Sequence, residues 1–337
     1  MQLFEIQKRR GEAMRELLRV EDLKVQFTAP SSLNDKLFAK KKYVKAVDGL
    51  SFSIKEGEVV GLVGESGCGK STVGKTLVML QKPKSGKIYV DGEDVCETKD
   101  EKTLRKKIQY IFQDPYSSLN PRMTVKTILS RPMEIFGLCK NKDEEDKKIS
   151  DLLKEVGLSQ EQSLRFPHEF SGGQKQRISI ARALAIEPEL IIADEPTAAL
   201  DVSIQAQILK LLEKLRETRN LTMLFISHDL GVVEYISDRI LVMYLGKIVE
   251  EGPTKDVIND PLHPYTKALL SAVPKNPLQE KGEGVRLSGS IPSTINIPQG
   301  CRLHPRCPYA TEACKHFNEE LIEVKPDRKV SCLLYRK

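Results

Sequence analysis

Short apolar runs, each bounded by polar or glycine residues, recur along the chain. The run Val59–Val63 is apolar on both faces, which is typical of a strand buried in a parallel sheet. Similar runs lie further along, at Leu190–Ala193, Met223–Ile226 and Ile240–Met243. Amphipathic helical patterns accompany them, at Gln174–Ala185 and Val202–Arg219. Because strands alternate with helices, the sequence predicts a layered α/β fold.

The remaining segments differ in composition and indicate the domain organisation. Strand patterns over Leu17–Phe27 and Val47–Ile54 flank a polar, lysine-rich insertion. Residues 115–175 are polar and rich in Lys and Glu, so they predict an inserted helical subdomain. Proline and glycine become frequent from Pro261 onward. We therefore expect an N-terminal extension (1–16), a main domain (17–260) and an accessory domain (261–337).

The composition argues against several classes of protein. The 337 residues contain no run of about 20 apolar residues, so no transmembrane helix is expected. The N-terminus lacks the apolar stretch of a secretory signal, and the seven cysteines then indicate a reducing compartment. The net charge is only +6. The basic runs Lys40–Lys42 and Arg105–Lys107 lack interleaved aromatic residues, so we expect solvated faces and no nucleic-acid partner.

The segment Gly64–Ser71 matches the P-loop pattern G-x-x-x-x-G-K-[ST]. Its glycines let backbone N–H groups curl around phosphate oxygens, Lys70 suits the β- and γ-phosphates, and Ser71 offers a hydroxyl to Mg²⁺. Chance produces such a match in about one chain per hundred, and here it also lies between a strand pattern and a helix pattern. The predicted ATP ligands of this segment are Gly64, Ser66, Gly67, Cys68, Gly69, Lys70, Ser71 and Thr72.

Two acidic residues follow the buried run Leu190–Ala193. A carboxylate that is buried without a cation is costly, so we expect Asp194 to hold Mg²⁺ together with Ser71. Glu195 then lies at the carboxyl edge of the sheet, where it can orient and deprotonate an attacking water. The alternative is that the two acids cap the next helix.

A second helix start with phosphate-binding character lies at Ser171. Taken alone, Ser-Gly-Gly is an ordinary helix start. One chain cannot easily aim two helix starts at a single γ-phosphate, whereas a head-to-tail dimer can. We therefore expect the residues of this segment in one copy to close on ATP held by the other; they are Ser171, Gly172, Gly173 and Gln174.

Together these motifs resemble the ABC ATPase family across residues 17–260, with Phe170 in place of the leucine that usually precedes the Ser-Gly-Gly-Gln signature. The resemblance implies a RecA-like P-loop NTPase core with antiparallel β and α-helical subdomains. It also implies that Gln113 senses Mg²⁺ and the attacking water. Asp201 would belong to the loop that crosses the dimer, and His228 would contact the γ-phosphate.

The family also stacks an aromatic side chain on adenine. Phe27, at the end of the first strand pattern, is the expected residue, Tyr43 is its rival, and packing of Phe27 in the core is a further alternative. His228, without the other motifs, would more often be a packed or capping residue.

Two longer segments, 114–122 and 263–274, are similar to the ATPases of dipeptide, oligopeptide and nickel importers. This resemblance implies two membrane permeases, a second ATPase subunit, identical or different, and an extracytoplasmic binding protein. The chain would then lie peripherally on the cytoplasmic face of the membrane, with residues 113–138 receiving a permease helix. The cargo stays open among dipeptides, oligopeptides, nickel and sugars. A soluble ABC ATPase acting on nucleic acid or ribosomes and a non-catalytic metal-binding regulator are the alternatives.

Four of the seven cysteines cluster near the C-terminus with the spacing C-x5-C-x6-C-x17-C. Four thiols can bind Zn²⁺ or an iron–sulfur cluster, and the absence of short C-x2-4-C knuckles favours the cluster. Some peptide-importer ATPases, which the tail resembles, hold a [4Fe–4S] cluster. We therefore expect a small cysteine-containing C-terminal domain with a [4Fe–4S] site, with zinc or metal-free thiols as alternatives. The expected ligands are Cys301, Cys307, Cys314 and Cys332, and His304 or His316 are possible replacements.

Overall fold

The computed structural model describes residues 15–29, 42–97, 101–272 and 285–336. Residues 1–14 of the predicted extension and 30–41 of the predicted insertion lie outside these ranges. Contacts within the chain divide it into two units. Of the described residues, the P-loop unit comprises 18–29, 42–53, 59–97, 227–272 and 285–336, and the helical unit comprises 15–17, 54–58 and 101–226.

The described residues form strands β1 (Glu16–Thr28), β2 (Tyr43–Lys55), β3 (Val59–Val63), β4 (Ser85–Val90), β5 (Glu93–Asp94), β6 (Ile108–Ile111), β7 (Leu190–Asp194), β8 (Thr222–Ser227), β9 (Arg239–Tyr244), β10 (Lys247–Pro253), β11 (Ile322–Lys325) and β12 (Arg328–Val330). The helices are α1 (Lys70–Leu77), α2 (Glu101–Lys107), α3 (Pro115–Ser118), α4 (Val125–Phe136), α5 (Lys142–Glu155), α6 (Gly172–Leu184), α7 (Val202–Arg219), α8 (Leu230–Ile236), α9 (Thr254–Asn259) and α10 (Pro264–Ala272). No helix in the described ranges is long and apolar enough to cross a membrane.

The P-loop unit is built on two runs of paired strands. One sheet has the order β2-β1-β4-β5, and in it β4 pairs in antiparallel with both β1 and β5. The other strands follow one another as β11-β12-β10-β9-β3, and within this run β3 pairs with β9 in parallel, with Val63 opposite Val242. Every residue of β3 is buried, as the two-faced apolar pattern predicts. The C-terminal strands β11 and β12 thereby continue the pairing of β10, and the predicted boundary at residue 260/261 stays a prediction.

The helical unit contains three parallel strands in the order β8-β7-β6. Ile111 lies opposite Ala193, and Asp194 lies opposite Ile226. The carboxyl ends of these strands therefore share one edge, and the polar residues that follow β6 and β7 emerge there. Helices α2 to α7 belong to the same unit, and α7 has the bounds that its hydrophobic pattern predicts.

A buried carboxylate anchors the start of α10 within the P-loop unit. Glu250, on β10, is fully buried and accepts hydrogen bonds from the backbone N–H groups of Leu262 (2.9 Å) and His263 (2.8 Å) and from the Arg328 guanidinium (2.8 Å). The His263 Nδ1 accepts from the Tyr265 N–H at 3.1 Å, and burial lowers the pKa of His263 to about 3. The imidazole is thus a neutral acceptor that fixes the first turn of α10.

Replacing Glu250 should destabilise the protein far more than replacing an exposed acid nearby. Glu250→Gln leaves the buried Arg328 charge without its carboxylate, and we expect it to lower the free energy of unfolding by about 3–5 kcal/mol. Asp260→Asn breaks only the exposed Lys325–Asp260 pair and should cost less than about 1 kcal/mol. Urea denaturation of the two variants measures the difference, and equal losses would contradict the anchoring role.

Candidate functional site

The P-loop follows β3 and closes against two backbone carbonyl groups of its own unit. Gly64 has φ +157°, and a Cβ built on it would lie 2.2 Å from the Met243 carbonyl oxygen. Gly69 has φ +112°, and its Cβ would lie 2.1 Å from the Ala46 carbonyl oxygen. Gly67, at φ +79°, faces open space. Conformation and space therefore both require glycine at Gly64 and Gly69, and the loop is forced into a tight curl.

Lys70 begins α1 and lies inside this curl. Its side chain is buried, and its Nζ donates hydrogen bonds to the carbonyl oxygens of Gly64 (2.7 Å) and Glu65 (3.2 Å). The N-cap of α1 is Gly69, which has no side chain to cap the first N–H groups. A buried cation beside a helix start that lacks a side-chain cap is an arrangement that fits phosphate oxygens.

Cys68, Phe27 and Tyr43 differ in how far they reach solvent. Burial raises the pKa of the Cys68 thiol, so its side chain is a neutral packing group, while its carbonyl accepts the Gly246 N–H at 3.0 Å. Phe27 is 37% exposed and Tyr43 is 43% exposed, so neither ring is packed in the core. Which of them stacks on adenine stays a prediction.

In the helical unit, Asp194 ends β7 in a buried position. The Tyr110 hydroxyl donates a hydrogen bond to Asp194 Oδ2 at 2.5 Å. Burial, together with the Asp194 carboxylate, raises the pKa of Tyr110, so the phenol stays protonated and acts as a donor. The sequence did not single out Tyr110; only the parallel pairing of β6 with β7 places it beside Asp194.

Glu195 has a left-handed backbone with φ +44°, which is unusual for a residue with a side chain. Its N–H donates to the Ile226 carbonyl at 2.9 Å, which holds this conformation at the strand end. The Gln113 side-chain amide donates to Glu195 Oε2 at 3.0 Å. The structure therefore brings together two of the three predicted catalytic residues. Such strain costs about 1–3 kcal/mol and persists where the surrounding structure enforces it.

The signature segment forms the predicted helix start. The Ser171 hydroxyl accepts from the Gln174 N–H at 3.4 Å, while the Ser171 N–H donates to the Gln174 side chain at 3.1 Å. This capping box places the start of α6 two residues before the predicted Gln174. A Cβ on Gly173 would lie 2.5 Å from Ile204 Cγ2, so α6 packs closely on α7.

The other predicted residues lie at exposed ends of elements. Asp201 is exposed and directly precedes α7. His228 is exposed and follows β8, and it belongs to the P-loop unit. Its neighbour Asp229 caps α8 by accepting from the Gly231 N–H at 2.8 Å. The role predicted for Asp201, in the loop that crosses the dimer, and the contact predicted between His228 and the γ-phosphate stay predictions.

The comparisons with known proteins decide the family. Residues 47–198 match the family model "ABC transporter", and residues 249–314 match "Oligopeptide/dipeptide transporter, C-terminal region". The oligopeptide transport ATP-binding protein AppF of Bacillus subtilis (strain 168) is 50% identical over 324 residues, which are 95% of this chain and 97% of that protein. The chain belongs to the ABC transporter ATP-binding proteins. The dipeptide transport ATP-binding protein DppF of Haemophilus influenzae is 47% identical, over 88% of this chain and 91% of that protein.

A solved structure supports the same assignment at the level of the fold. The dimeric post-hydrolysis structure of the ATP-binding cassette MJ0796, bound to ADP and Pi, matches with a TM-score of 0.60 and 29% identity. The match covers 71% of this chain and 99% of that chain. The predicted P-loop NTPase fold of an ABC cassette is thus confirmed, whereas the predicted cysteine-containing C-terminal domain is not.

The prediction of an iron–sulfur cluster in this ABC protein is wrong. Within the ranges that the structure describes, no group of three or more His, Cys, Asp or Glu side chains is arranged to hold a metal ion. Burial raises the pKa of the Cys301 thiol to about 12. The spacing of cysteines along the chain indicates that the thiols can approach one another. It does not indicate in which direction each side chain points. The four residues instead line one cavity of about 230 Å³ as free thiols; they are Cys301, Cys307, Cys314 and Cys332.

Gly64 and Gly67 have different surroundings, so replacing each with alanine should change the free energy of unfolding by different amounts. Gly67→Ala meets open space and should lower the free energy of unfolding by only about 1–2 kcal/mol, through its backbone conformation. Gly64→Ala adds a collision with the Met243 carbonyl and should cost about 1–3 kcal/mol more. Calorimetric unfolding of both variants tests the difference. If Gly64→Ala is no worse than Gly67→Ala, the close approach does not shape the loop.

Proposed function

We propose that this chain is the ATP-hydrolysing subunit of an ABC importer that takes up dipeptides or oligopeptides. The observation that carries the hydrolytic role is Glu195, which is held at the end of a buried strand and hydrogen-bonded to Gln113. The peptide cargo is supported by two relatives that are named as oligopeptide and dipeptide transport ATP-binding proteins. The match of residues 249–314 to a peptide-transporter C-terminal region supports it further, and neither nickel, sugars nor nucleic acid gains similar support.

The groups of the P-loop unit would bind the nucleotide. Lys70 and the backbone N–H groups around Gly69 would hold the β- and γ-phosphates, since a buried ammonium and a helix start both attract anions. The ATP ligands proposed on this segment remain Gly64, Ser66, Gly67, Cys68, Gly69, Lys70, Ser71 and Thr72, with Phe27 stacking on adenine. His228 would contact the γ-phosphate.

The groups of the helical unit would act on water. Glu195 would accept a proton from the water while the water oxygen attacks the γ-phosphorus. The bond between the γ-phosphorus and the β–γ bridging oxygen then breaks to give ADP and phosphate. Gln113 would orient that water. The oxygen donors Ser71, Gln113 and Asp194 suit Mg²⁺, which when bound neutralises charge on the phosphates.

A second subunit, identical or different, would complete the cage around the phosphates. Ser171, Gly172, Gly173, Gln174 and Asp201 of one copy would act on ATP held by the other, in a head-to-tail dimer. The solved relative MJ0796 is dimeric, which supports the formation of a dimer. Two permeases and an extracytoplasmic binding protein would complete the importer, with this chain peripheral on the cytoplasmic face of the membrane.

Glu195→Gln should remove hydrolysis while leaving ATP binding intact. The amide keeps the shape but cannot accept the proton, so we expect phosphate release to fall at least about 100-fold. A fluorescent ATP analogue should bind as tightly as to the unchanged protein. Glu189→Gln, a change of an exposed acid before β7, should leave turnover unchanged.

The same Glu195→Gln variant should accumulate as a dimer with ATP, because ATP hydrolysis, the step that opens the dimer, is blocked. Light scattering after gel filtration measures the molar mass of the variant with ATP. Adding Ser171→Arg to Glu195→Gln should return the protein to a monomer. Unchanged turnover would remove Glu195 from the role of base, and a monomer at saturating ATP would remove the dimer.

Peptide uptake should depend on the same carboxylate. In cells of the source organism that lack this gene, the unchanged gene should restore uptake of a labelled oligopeptide and the Glu195→Gln form should not. Uptake of labelled nickel or sugar should be equal in all strains. Restored nickel or sugar uptake with unaffected peptide uptake would contradict the proposed cargo.

A further inference from the structure

Residues from the C-terminal part of the chain contact the P-loop at Glu65, and all of them belong to the P-loop unit. The Glu65 N–H donates a hydrogen bond to the Tyr265 hydroxyl at 2.8 Å. The Glu65 carboxylate accepts two bonds from the Arg306 guanidinium, at 3.0 and 3.4 Å. Backbone and side chain of one P-loop residue are therefore held by two residues 200 and 241 positions away.

The peptide group between Gly64 and Glu65 links Tyr265 to the phosphate-binding lysine. Its N–H points to the Tyr265 hydroxyl, and its carbonyl accepts from Lys70 Nζ at 2.7 Å. In a trans peptide these two groups point in opposite directions from one rigid plane. Fixing the N–H therefore fixes the carbonyl, and the carbonyl in turn fixes the ammonium group of Lys70.

The holding groups are themselves anchored. Tyr265 is fully buried at the start of α10, where His263 accepts its N–H. Its ring packs on Tyr244, with ring centres 4.6 Å apart. The Arg306 guanidinium also donates to the Tyr244 hydroxyl at 3.4 Å. The backbone carbonyl of Arg306 accepts the Ser288 N–H at 3.1 Å. The contacts to Glu65 are thus made from a packed support rather than from free surface side chains.

We propose that Tyr265 and Arg306 are positioning residues for ATP: they hold the Gly64–Glu65 peptide and the Glu65 side chain so that Lys70 is preorganised for the triphosphate. The inference rests on the proposed ATPase function and gives the C-terminal region a part in it. Neither residue is among the proposed ligands of ATP. Their loss should weaken the binding of ATP rather than the chemical step, because the groups assigned to water and proton transfer are unchanged.

The test compares Tyr265→Phe and Arg306→Gln with two matched changes in the same region. We expect both variants to raise the KM for ATP and the Kd of a fluorescent ATP analogue about 5- to 20-fold, with kcat within about twofold. Tyr335→Phe removes a hydroxyl that donates to the Leu262 carbonyl, and Lys329→Gln breaks the pair with Glu251. Both controls should keep the KM of the unchanged protein.

A double-variant cycle separates positioning from general destabilisation. If Arg306 acts through Glu65, then Glu65→Gln combined with Arg306→Gln should raise KM no more than either change alone. Additive effects, or a wild-type KM in both Tyr265→Phe and Arg306→Gln, would overturn the inference. If Tyr265→Phe does not fold, this cycle still tests the positioning role of Arg306. Failure of the unchanged protein to hydrolyse ATP would instead overturn the proposed function.

Discussion

The close approach of the P-loop backbone to the carbonyl groups of Met243 and Ala46 is the constraint on which the nucleotide-binding part of the structure depends. At Gly64 and Gly69 even a methyl group would lie within about 2 Å of these oxygens. Between β3 and α1 the loop therefore follows a path that requires glycine at these two positions, and Lys70 lies in its interior. A flexible loop would have to order itself for each ATP molecule, whereas this curl is ordered by the packing of its own unit.

The helical unit presents a different kind of constraint, one of charge and strain. Asp194 is buried and accepts the Tyr110 hydroxyl, and Glu195 carries a left-handed backbone. The Ile226 carbonyl accepts the Glu195 N–H, and the Gln113 amide donates to the Glu195 carboxylate. Backbone strain of this kind is expected where a site is preorganised for chemistry, which is why Glu195 carries the hydrolytic proposal.

Local patterns predicted the elements well and the pairwise contacts poorly. The run Val59–Val63 and the helix Val202–Arg219 are found as expected, because apolar periodicity reports burial directly. Tyr110 was missed because its partner Asp194 lies 84 residues away and becomes a neighbour only through strand pairing. The cysteine prediction failed for a related reason. Spacing shows which thiols are close in sequence, but the direction in which each thiol points depends on tertiary packing.

Each of the two units contains a buried tyrosine whose hydroxyl forms a hydrogen bond with a residue of the predicted nucleotide site or of the P-loop. Tyr110 donates to Asp194, and Tyr265 accepts from Glu65. Burial is the largest cause that raises the pKa of each phenol, so both hydroxyls stay neutral. A carboxylate could accept the Glu65 N–H as well, but its charge would repel a triphosphate and compete for Lys70. A neutral hydroxyl fixes the geometry and leaves the positive charge of the loop available to the nucleotide.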